Sequence, residues 1–228
     1  MRYSDIVKHK KILEEQFLEA RLVMDYKQKQ AELTDLNWDG DYSVKYFWQQ
    51  DNFLTQKEIN DIHAIAFPKE MIDGTIGNKP KNADGDYDEV VRKGRVCWID
   101  DLPTSVEIKL QNALVSSKRD CFADIHLSGR QRLQYAMYEE GDHYNWHADQ
   151  TIPYEDGTIR QLSFTIQLTD DYEGGIFEYN NSGSVVSVTP KLGSLYIFPS
   201  FVRHRVTPIT EGCRVSLVGW YLGKTSIQ

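Results

Sequence analysis

The sequence predicts a mainly β fold with flanking helices, of the sandwich or jelly-roll class. From residue 132 onward, six or seven short apolar stretches are separated by Gly, Pro, Asn or Asp, which is typical of short strands joined by turns. Within 161–168 the apolar residues alternate with polar ones, namely Leu162, Phe164, Ile166 and Leu168 against Ser163, Thr165 and Gln167. One face of this strand is therefore expected to pack on an apolar layer, and its polar face to line a pocket.

The beginning of the chain carries a helical signal. Residues 4–33 have apolar residues at roughly helical spacing and contain neither Gly nor Pro. This pattern predicts one or two amphipathic helices that cover a sheet face or make a subunit contact. A turn is predicted at 37–42 and a short strand at 44–48.

Two further helices and a strand are predicted before residue 132. Thr55 and Glu58 have the spacing of a capping box, and the helix that they start is expected to end before Pro68. A strand is predicted at 95–99 and a helix at about 104–117.

A long loop is predicted at 73–89, because this segment is rich in Gly, Asn and Asp and has almost no apolar residues. A loop of this length is more often functional or mobile than structural. The strands predicted after it are 132–138, 161–169, 175–180, 184–190, 194–200, 204–208 and 214–221.

The length of 228 residues fits one domain, and no composition shift divides the chain. We expect an N-terminal helical segment at 1–40, supporting strands and helices at 41–131, and a jelly-roll core with the functional site at 132–222.

Charge and composition exclude several classes of protein. The formal net charge of −8 argues against a large phosphate-binding surface, because Lys and Arg supply most of the affinity for nucleic acid. No apolar stretch has the length of a membrane helix or the pattern of a signal peptide, so a soluble cytoplasmic protein is expected. Cys97, Cys121 and Cys213 are widely spaced, which predicts reduced thiols rather than a disulfide framework or a zinc site.

The segment 138–149 (YEEGDHYNWHAD) holds the strongest chemical signal. If it is extended, His147 and Asp149 point to the same side and could both bind one metal ion. His204 is the best candidate for a third ligand. Two His and one carboxylate are the ligand set of non-haem Fe(II) oxygenases. The alternative is a chance pair, since His and Asp two residues apart occur in many proteins.

Arg214 and Ser216 are predicted on one face of an otherwise apolar strand. A buried guanidinium beside a hydroxyl suits a carboxylate ligand, because its planar fork binds both oxygens. The alternative is an Arg of an edge strand that is exposed to solvent.

Two motifs in these segments resemble the Fe(II)/2-oxoglutarate dioxygenases of the prolyl 4-hydroxylase type. The first is Y-x-x-G-x-x-Y-x-x-H-x-D, which is carried by Tyr138, Gly141, Tyr144, His147 and Asp149. The second is carried by Gly193, Phe198, Pro199, His204, Val206, Pro208, Ile209, Gly212, Arg214, Ser216 and Trp220. The resemblance is strong over 132–222 and weak over 44–131.

The resemblance implies a double-stranded β-helix, that is, a cupin-like jelly roll with helices on one outer face. It implies that His147, Asp149 and His204 ligate Fe(II). It also implies that Arg214, with Tyr138 and Ser216, holds the distal carboxylate of 2-oxoglutarate. In one departure from the family pattern, Gln167, which is counted among the cosubstrate residues, stands where animal-type members have a Tyr. This change is expected to weaken or rearrange the carboxylate clamp, and Tyr138 could compensate for it.

The function that the resemblance implies is hydroxylation of an unactivated C–H bond with O2, releasing succinate and CO2, with ascorbate as a reductant. Prolyl 4-hydroxylation of a peptide or protein is the expected reaction. The open alternatives are a free amino acid, another small molecule, alkylated nucleic acid, which the acidic charge disfavours, and a non-catalytic jelly-roll binding protein. No membrane partner is expected. The loop at 73–89 is predicted as either a lid over a peptide substrate or a surface insertion.

Overall fold

The computed structural model of the chain describes residues 47–74, 91–150, 152–181 and 184–224. Within these ranges it has fifteen strands and two helices, so the prediction of a mainly β fold with flanking helices is confirmed. The predicted helices at 4–33, the turn at 37–42 and nearly all of the loop at 73–89 lie outside the described residues.

Helix α1 (Gln56–Ala66) begins with the predicted capping box. The Thr55 N–H donates to the Glu58 carboxylate at 2.9 Å, and the Glu58 N–H donates to the Thr55 hydroxyl at 3.4 Å. Lys109 of helix α2 (Thr104–Asp120) also donates to Glu58, at 2.6 Å, and so ties the two helices together.

Helix α2 is three residues longer than predicted. Its last turn carries Lys118 and Arg119, whose positive charges suit the partial negative charge of a helix C-terminus. Neither helix in the described ranges is long and apolar enough to cross a bilayer.

The strands, in chain order, are β1 (Trp48–Gln50), β2 (Ile72–Asp73), β3 (Arg92–Lys93), β4 (Arg95–Ile99), β5 (Gly129–Arg130), β6 (Leu133–Tyr138), β7 (His143–His147), β8 (Thr158–Gln167), β9 (Tyr172–Gly174), β10 (Phe177–Asn181), β11 (Ser184–Val188), β12 (Leu195–Pro199), β13 (His204–Val206), β14 (Ile209–Gly212) and β15 (Arg214–Lys224).

These strands form two main antiparallel sheets. The large sheet has the order β1-β12-β8-β15-β6-β4-β2, with β5 paired to β15, and the small sheet has the order β11-β10-β13-β7-β3. Strands β9 and β14 form a separate pair. From β6 to β15 the strands of the two main sheets alternate between them except at β10 and β11, which form a hairpin within the small sheet. This is the topology of the double-stranded β-helix, so this prediction is confirmed.

Strand β8 shows how the sequence separates the two faces of the large sheet. Leu162, Phe164 and Ile166 are buried in one core cluster with apolar residues of both helices. The alternating polar residues, Ser163, Thr165 and Gln167, are also buried but point to the other face, toward the small sheet. The helices therefore brace the outer face of the large sheet. The inner face carries the polar residues of β8 and also apolar groups such as Phe198, which packs with Phe177 and Val206 of the small sheet.

Some strand predictions differ from the structure. Most of the strand predicted at 44–48 lies outside the described residues, and β1 runs from Trp48 to Gln50, where it pairs with β12. Strands β2, β3, β5, β9 and β14 have no counterpart among the predicted strands, whereas β7 lies within 138–149, the segment considered as extended. These five strands are two to four residues long and are formed by pairing with distant segments, which local periodicity does not reveal.

Candidate active site

The two candidate His ligands lie opposite each other on neighbouring strands of the small sheet. His147 ends β7 and His204 begins β13, and the two residues are register partners. A register shift follows, in which Val206 pairs with Tyr144, so three steps on β7 match two on β13. This β-bulge gives Tyr144 and His147 a common face. Their rings stack, with centroids 3.4 Å apart and planes 11° apart.

Backbone carbonyls orient both imidazoles. His147 Nδ1 lies 2.8 Å from the carbonyl oxygen of Asn145, and His204 Nδ1 lies 2.9 Å from that of Val202. An Nδ1–H that donates to a carbonyl leaves Nε2 with its lone pair free. Each Nε2 lies 3.6 Å from one carboxylate oxygen of Asp149, His147 from Oδ1 and His204 from Oδ2.

Asp149 reaches this position from a loop and not from a strand. β7 ends at His147, so the prediction that strand alternation aligns His147 with Asp149 is wrong in that detail. The loop is held by the next residue, because the Gln150 N–H donates to the Ser200 carbonyl at 2.8 Å. Asp149 is buried, at 8% exposure.

The protonation of the group suits a divalent cation. Burial lowers the pKa of His204 to about 4, with repulsion from His147 acting in the same direction. Burial alone would raise the pKa of Asp149, but the neighbouring imidazoles of His204 and His147 outweigh it and hold the pKa below its usual range. At neutral pH the site therefore offers a neutral His204 nitrogen and an ionised carboxylate.

The ligand atoms of His147, Asp149 and His204 all lie within 4.8 Å of one another. This spacing lets one ion contact all three. The donor set of imidazole nitrogen and carboxylate oxygen fits Fe(II) and related divalent metals.

The large sheet brings the predicted cosubstrate residues together. Arg214 of β15 pairs in register with Tyr138 of β6, and Ser216 pairs with Gln167 of β8. All four residues are buried. Their side chains lie on the inner face of the sheet, since Val215, the residue between Arg214 and Ser216, packs in the outer core cluster.

Arg214 is a buried cation that lacks an anionic partner among the described residues. It is 2% exposed, and its Nη1 donates to the Ser216 hydroxyl at 3.2 Å. Its Nε has no hydrogen-bond partner, and no carboxylate of the described residues forms an ion pair with it. A buried unpaired guanidinium is costly, so a bound carboxylate would satisfy it.

The Gln167 side chain is hydrogen-bonded to the backbone next to the predicted cosubstrate residues. Its amide Nε2 donates to two backbone carbonyls, of Thr169 at 2.8 Å and of Val215 at 3.2 Å. Its Oε1 is buried and accepts no hydrogen bond from the part of the chain that the structure describes. The amide N–H groups of Gln167 therefore bind the backbone, and only the acceptor Oε1 remains available to a ligand.

The structure adds two arginines that sequence reasoning missed. Arg92 of β3 is buried and donates to Tyr138 and Gln134. Arg160 lies over the ring of Trp220, with its guanidinium carbon 3.7 Å from the ring centroid. Neither position has a local signal in the sequence, since each depends on strand pairing across the fold.

Comparison with known proteins agrees with this arrangement. Residues 133–222 match the sequence profile of the 2OG-Fe(II) oxygenase superfamily. Over these residues the chain is similar to this superfamily, which agrees with the two motifs. Fe(II), 2-oxoglutarate and O2 are the cofactors that the superfamily implies, and the His-Asp-His group fits the metal.

Individual relatives carry the name PKHD-type hydroxylase. The one from Idiomarina loihiensis is 31% identical over 91 residues, which are 39% of this chain and only 41% of that relative. The one from Gloeothece citriformis is 27% identical over 173 residues, which are 73% of this chain and 74% of that relative. One similar solved structure is that of a prolyl hydroxylase from Trichoplax adhaerens in complex with a hypoxia inducible factor peptide fragment. It has a TM-score of 0.61 and 21% sequence identity, and the match covers 86% of this chain and 91% of that chain. At this identity the structure supports the fold alone.

Proposed function

We propose that the protein is an Fe(II)- and 2-oxoglutarate-dependent dioxygenase that hydroxylates an unactivated C–H bond and releases succinate and CO2. One observation carries the proposal. The Arg214 guanidinium is buried on the inner face of the large sheet without an ion-pair partner among the described residues, and the His204 ring of the metal group contacts Phe198 on the inner face of that sheet. A metal site combined with an unsatisfied cation suits a ligand that chelates a metal at one end and carries a carboxylate at the other.

The residues have distinct roles in this proposal. His147, Asp149 and His204 hold Fe(II), and the ion with 2-oxoglutarate and O2 supplies the oxidising chemistry when bound. Arg214 and Ser216 hold the distal carboxylate, with Tyr138 beside them. The three protein ligands leave open positions on the metal, and burial between the sheets excludes water from the reacting atoms.

The proposed substrate is a prolyl residue of a peptide or protein, hydroxylated at C4, with ascorbate as a reductant. Support comes from the relatives named as PKHD-type hydroxylases and from the similar fold of a prolyl hydroxylase that was solved with a peptide. The acidic net charge of −8 supports a peptide over nucleic acid. In this proposal the chain is one oxygenase domain with its core at 132–222.

The test is succinate formation by the Fe(II)-loaded protein with 2-oxoglutarate, O2 and ascorbate, in separate reactions with proline-containing peptides, free proline and methylated oligonucleotides. The expected result is peptide-dependent succinate and a gain of one oxygen atom on proline, detected by mass spectrometry. Asp149→Ala is the matched inactive control. Turnover that depends on free proline or on the oligonucleotide would overturn the peptide substrate. Absence of metal-dependent 2-oxoglutarate binding would leave a non-catalytic jelly-roll protein.

A further inference from the structure

Arg92 lies at the junction between the metal site and the cosubstrate end of the pocket. Strand β3, although only two residues long, places Arg92 opposite Tyr144 of β7. Arg92 is 4% exposed, and its Nη2 donates to Gln134 Oε1 at 2.9 Å and to the Tyr138 hydroxyl at 3.3 Å. These hydrogen bonds join β3 of the small sheet to β6 of the large sheet.

A second set of contacts leads from Arg92 to the metal. Its guanidinium carbon lies 4.5 Å from the centroid of the Tyr144 ring. That ring is stacked on the imidazole of His147 at 3.4 Å. His147 has its Nδ1 fixed by a backbone carbonyl, so the plane of the imidazole is determined by this hydrogen bond and by the Tyr144 ring. A displaced Tyr144 would free the imidazole to tilt.

Two glycines make room for this arrangement. A Cβ at Gly74 would lie 2.6 Å from Arg92 Nε, and a Cβ at Gly94 would lie 2.6 Å from the Tyr138 ring. Side chains at either position would therefore push on Arg92 or Tyr138. The absence of both lets the guanidinium and the phenol ring pack against backbone.

We propose that Arg92 is a positioning residue that fixes Tyr138 for the cosubstrate and, through Tyr144, fixes His147 for the metal. The inference rests on the proposed function, because it concerns binding of Fe(II) and 2-oxoglutarate. Its physical basis is the planar fork of Arg, which donates along its edge while its face contacts a ring. Lys has neither the fork nor the flat face, so charge alone does not reproduce this role.

The test measures two affinities, that of Mn(II) for the free protein and that of 2-oxoglutarate for the Mn(II)-loaded protein, under anaerobic conditions by calorimetry. Arg92→Met is expected to weaken both by about tenfold or more, which is the usual effect of removing a residue that orients a metal ligand. Arg92→Lys is expected to behave like Arg92→Met. The matched control is Arg95→Met, which removes a nearby Arg whose ion pair with Glu139 is exposed, and it should leave both affinities within about twofold of wild type.

Double variants separate positioning from a general loss of structure. Tyr138→Phe combined with Arg92→Met should weaken 2-oxoglutarate binding by less than the product of the single effects. Tyr144→Leu combined with Arg92→Met should do the same for Mn(II). Thermal unfolding of each metal-free variant shows whether the variant is folded, and affinities are compared only among folded variants. Multiplicative effects at both pairs would overturn the proposal.

The remaining outcomes also decide. Wild-type affinities in folded Arg92→Met would overturn the positioning role while leaving the proposed function intact. If Arg92→Met does not fold, Arg92→Lys carries the test, and recovery of both affinities in Arg92→Lys would show that only charge matters. If wild-type protein shows no Mn(II)-dependent binding of 2-oxoglutarate, the proposed function fails and this inference fails with it.

Discussion

Replacing Arg214 by Met is expected to change the free protein and its cosubstrate complex in opposite directions. Arg214 is 2% exposed with Nε unsatisfied. Removing a buried charge that lacks an anionic partner should raise the free energy of unfolding of the ligand-free protein by on the order of 1–3 kcal/mol. The same change removes charge-assisted hydrogen bonds to the cosubstrate, which contribute about 1.5–3 kcal/mol. The Kd for 2-oxoglutarate should therefore rise roughly ten- to a hundredfold.

The assay is thermal or denaturant unfolding of Mn(II)-loaded protein with and without 2-oxoglutarate. At a concentration of 100 times the wild-type Kd, wild-type protein should gain about 2.7 kcal/mol. With the Kd raised ten- to a hundredfold, the gain of Arg214→Met falls to about 1.4–0.4 kcal/mol. Ser216→Ala is the milder comparison, since it keeps the guanidinium and removes one acceptor. The reasoning would be refuted if Arg214→Met were less stable than wild type without 2-oxoglutarate and gained as much unfolding free energy as wild type when 2-oxoglutarate is added.

Three further predictions concern the metal ligands, Glu58 of helix α1 and Gln167. Replacement of any one of His147, Asp149 and His204 by Ala should abolish Mn(II) binding and 2-oxoglutarate turnover with little change in circular dichroism; full activity in Asp149→Gly would exclude the carboxylate as a ligand. Burial raises the pKa of Glu58, but hydrogen bonds from the Lys109 ammonium and from Thr55 outweigh burial and lower the pKa to about 2. Glu58→Gln should therefore lower the free energy of unfolding by about 1–2 kcal/mol at neutral pH, a value that allows for solvent screening of the half-exposed Lys109. The difference in unfolding free energy between Glu58→Gln and wild type should disappear as the pH falls from 4.5 to about 2. Gln167→Leu should change the Kd for 2-oxoglutarate by less than about threefold, since the amide donates to backbone carbonyls and not into the pocket.

Two outcomes would contradict these last predictions. A difference between Glu58→Gln and wild type that persists unchanged at the lowest pH would mean that ionisation of Glu58 does not stabilise the fold. The exposed pair of Lys57 and Asp61 provides the control, because Asp61→Asn should change the unfolding free energy by less than about 0.5 kcal/mol. A large loss of cosubstrate affinity in Gln167→Leu would place the amide in the clamp.

The sequence predicted the parts of the fold that depend on local pattern. Alternation along 161–168 identified β8 and its two faces, and the Thr55 and Glu58 spacing identified the start of α1. Two spaced motifs were enough to bring His147 and His204 into one hypothesis, because each motif fixes many positions.

Features that arise from pairing between distant segments were not predictable. The bulge that turns Tyr144 onto His147 is a property of β7 and β13 together. Arg92 follows a Gly- and Asp-rich segment, and nothing near it in the sequence marks it as buried. The pattern of 138–149 gives no sign that β7 ends two residues before Asp149.

The division of the candidate site between two sheets has a mechanical consequence. The His ligands belong to the small sheet, whereas Arg214 and Tyr138 belong to the large sheet, which α1 and α2 support. A molecule held by both the metal and Arg214 acts as a removable cross-link between the sheets. The metal alone joins β7 to β13, and amide hydrogen exchange in these strands should slow further when the cosubstrate is added to the metal-loaded protein. These two strands would then report occupancy at Arg214, a residue that lies on the opposite sheet.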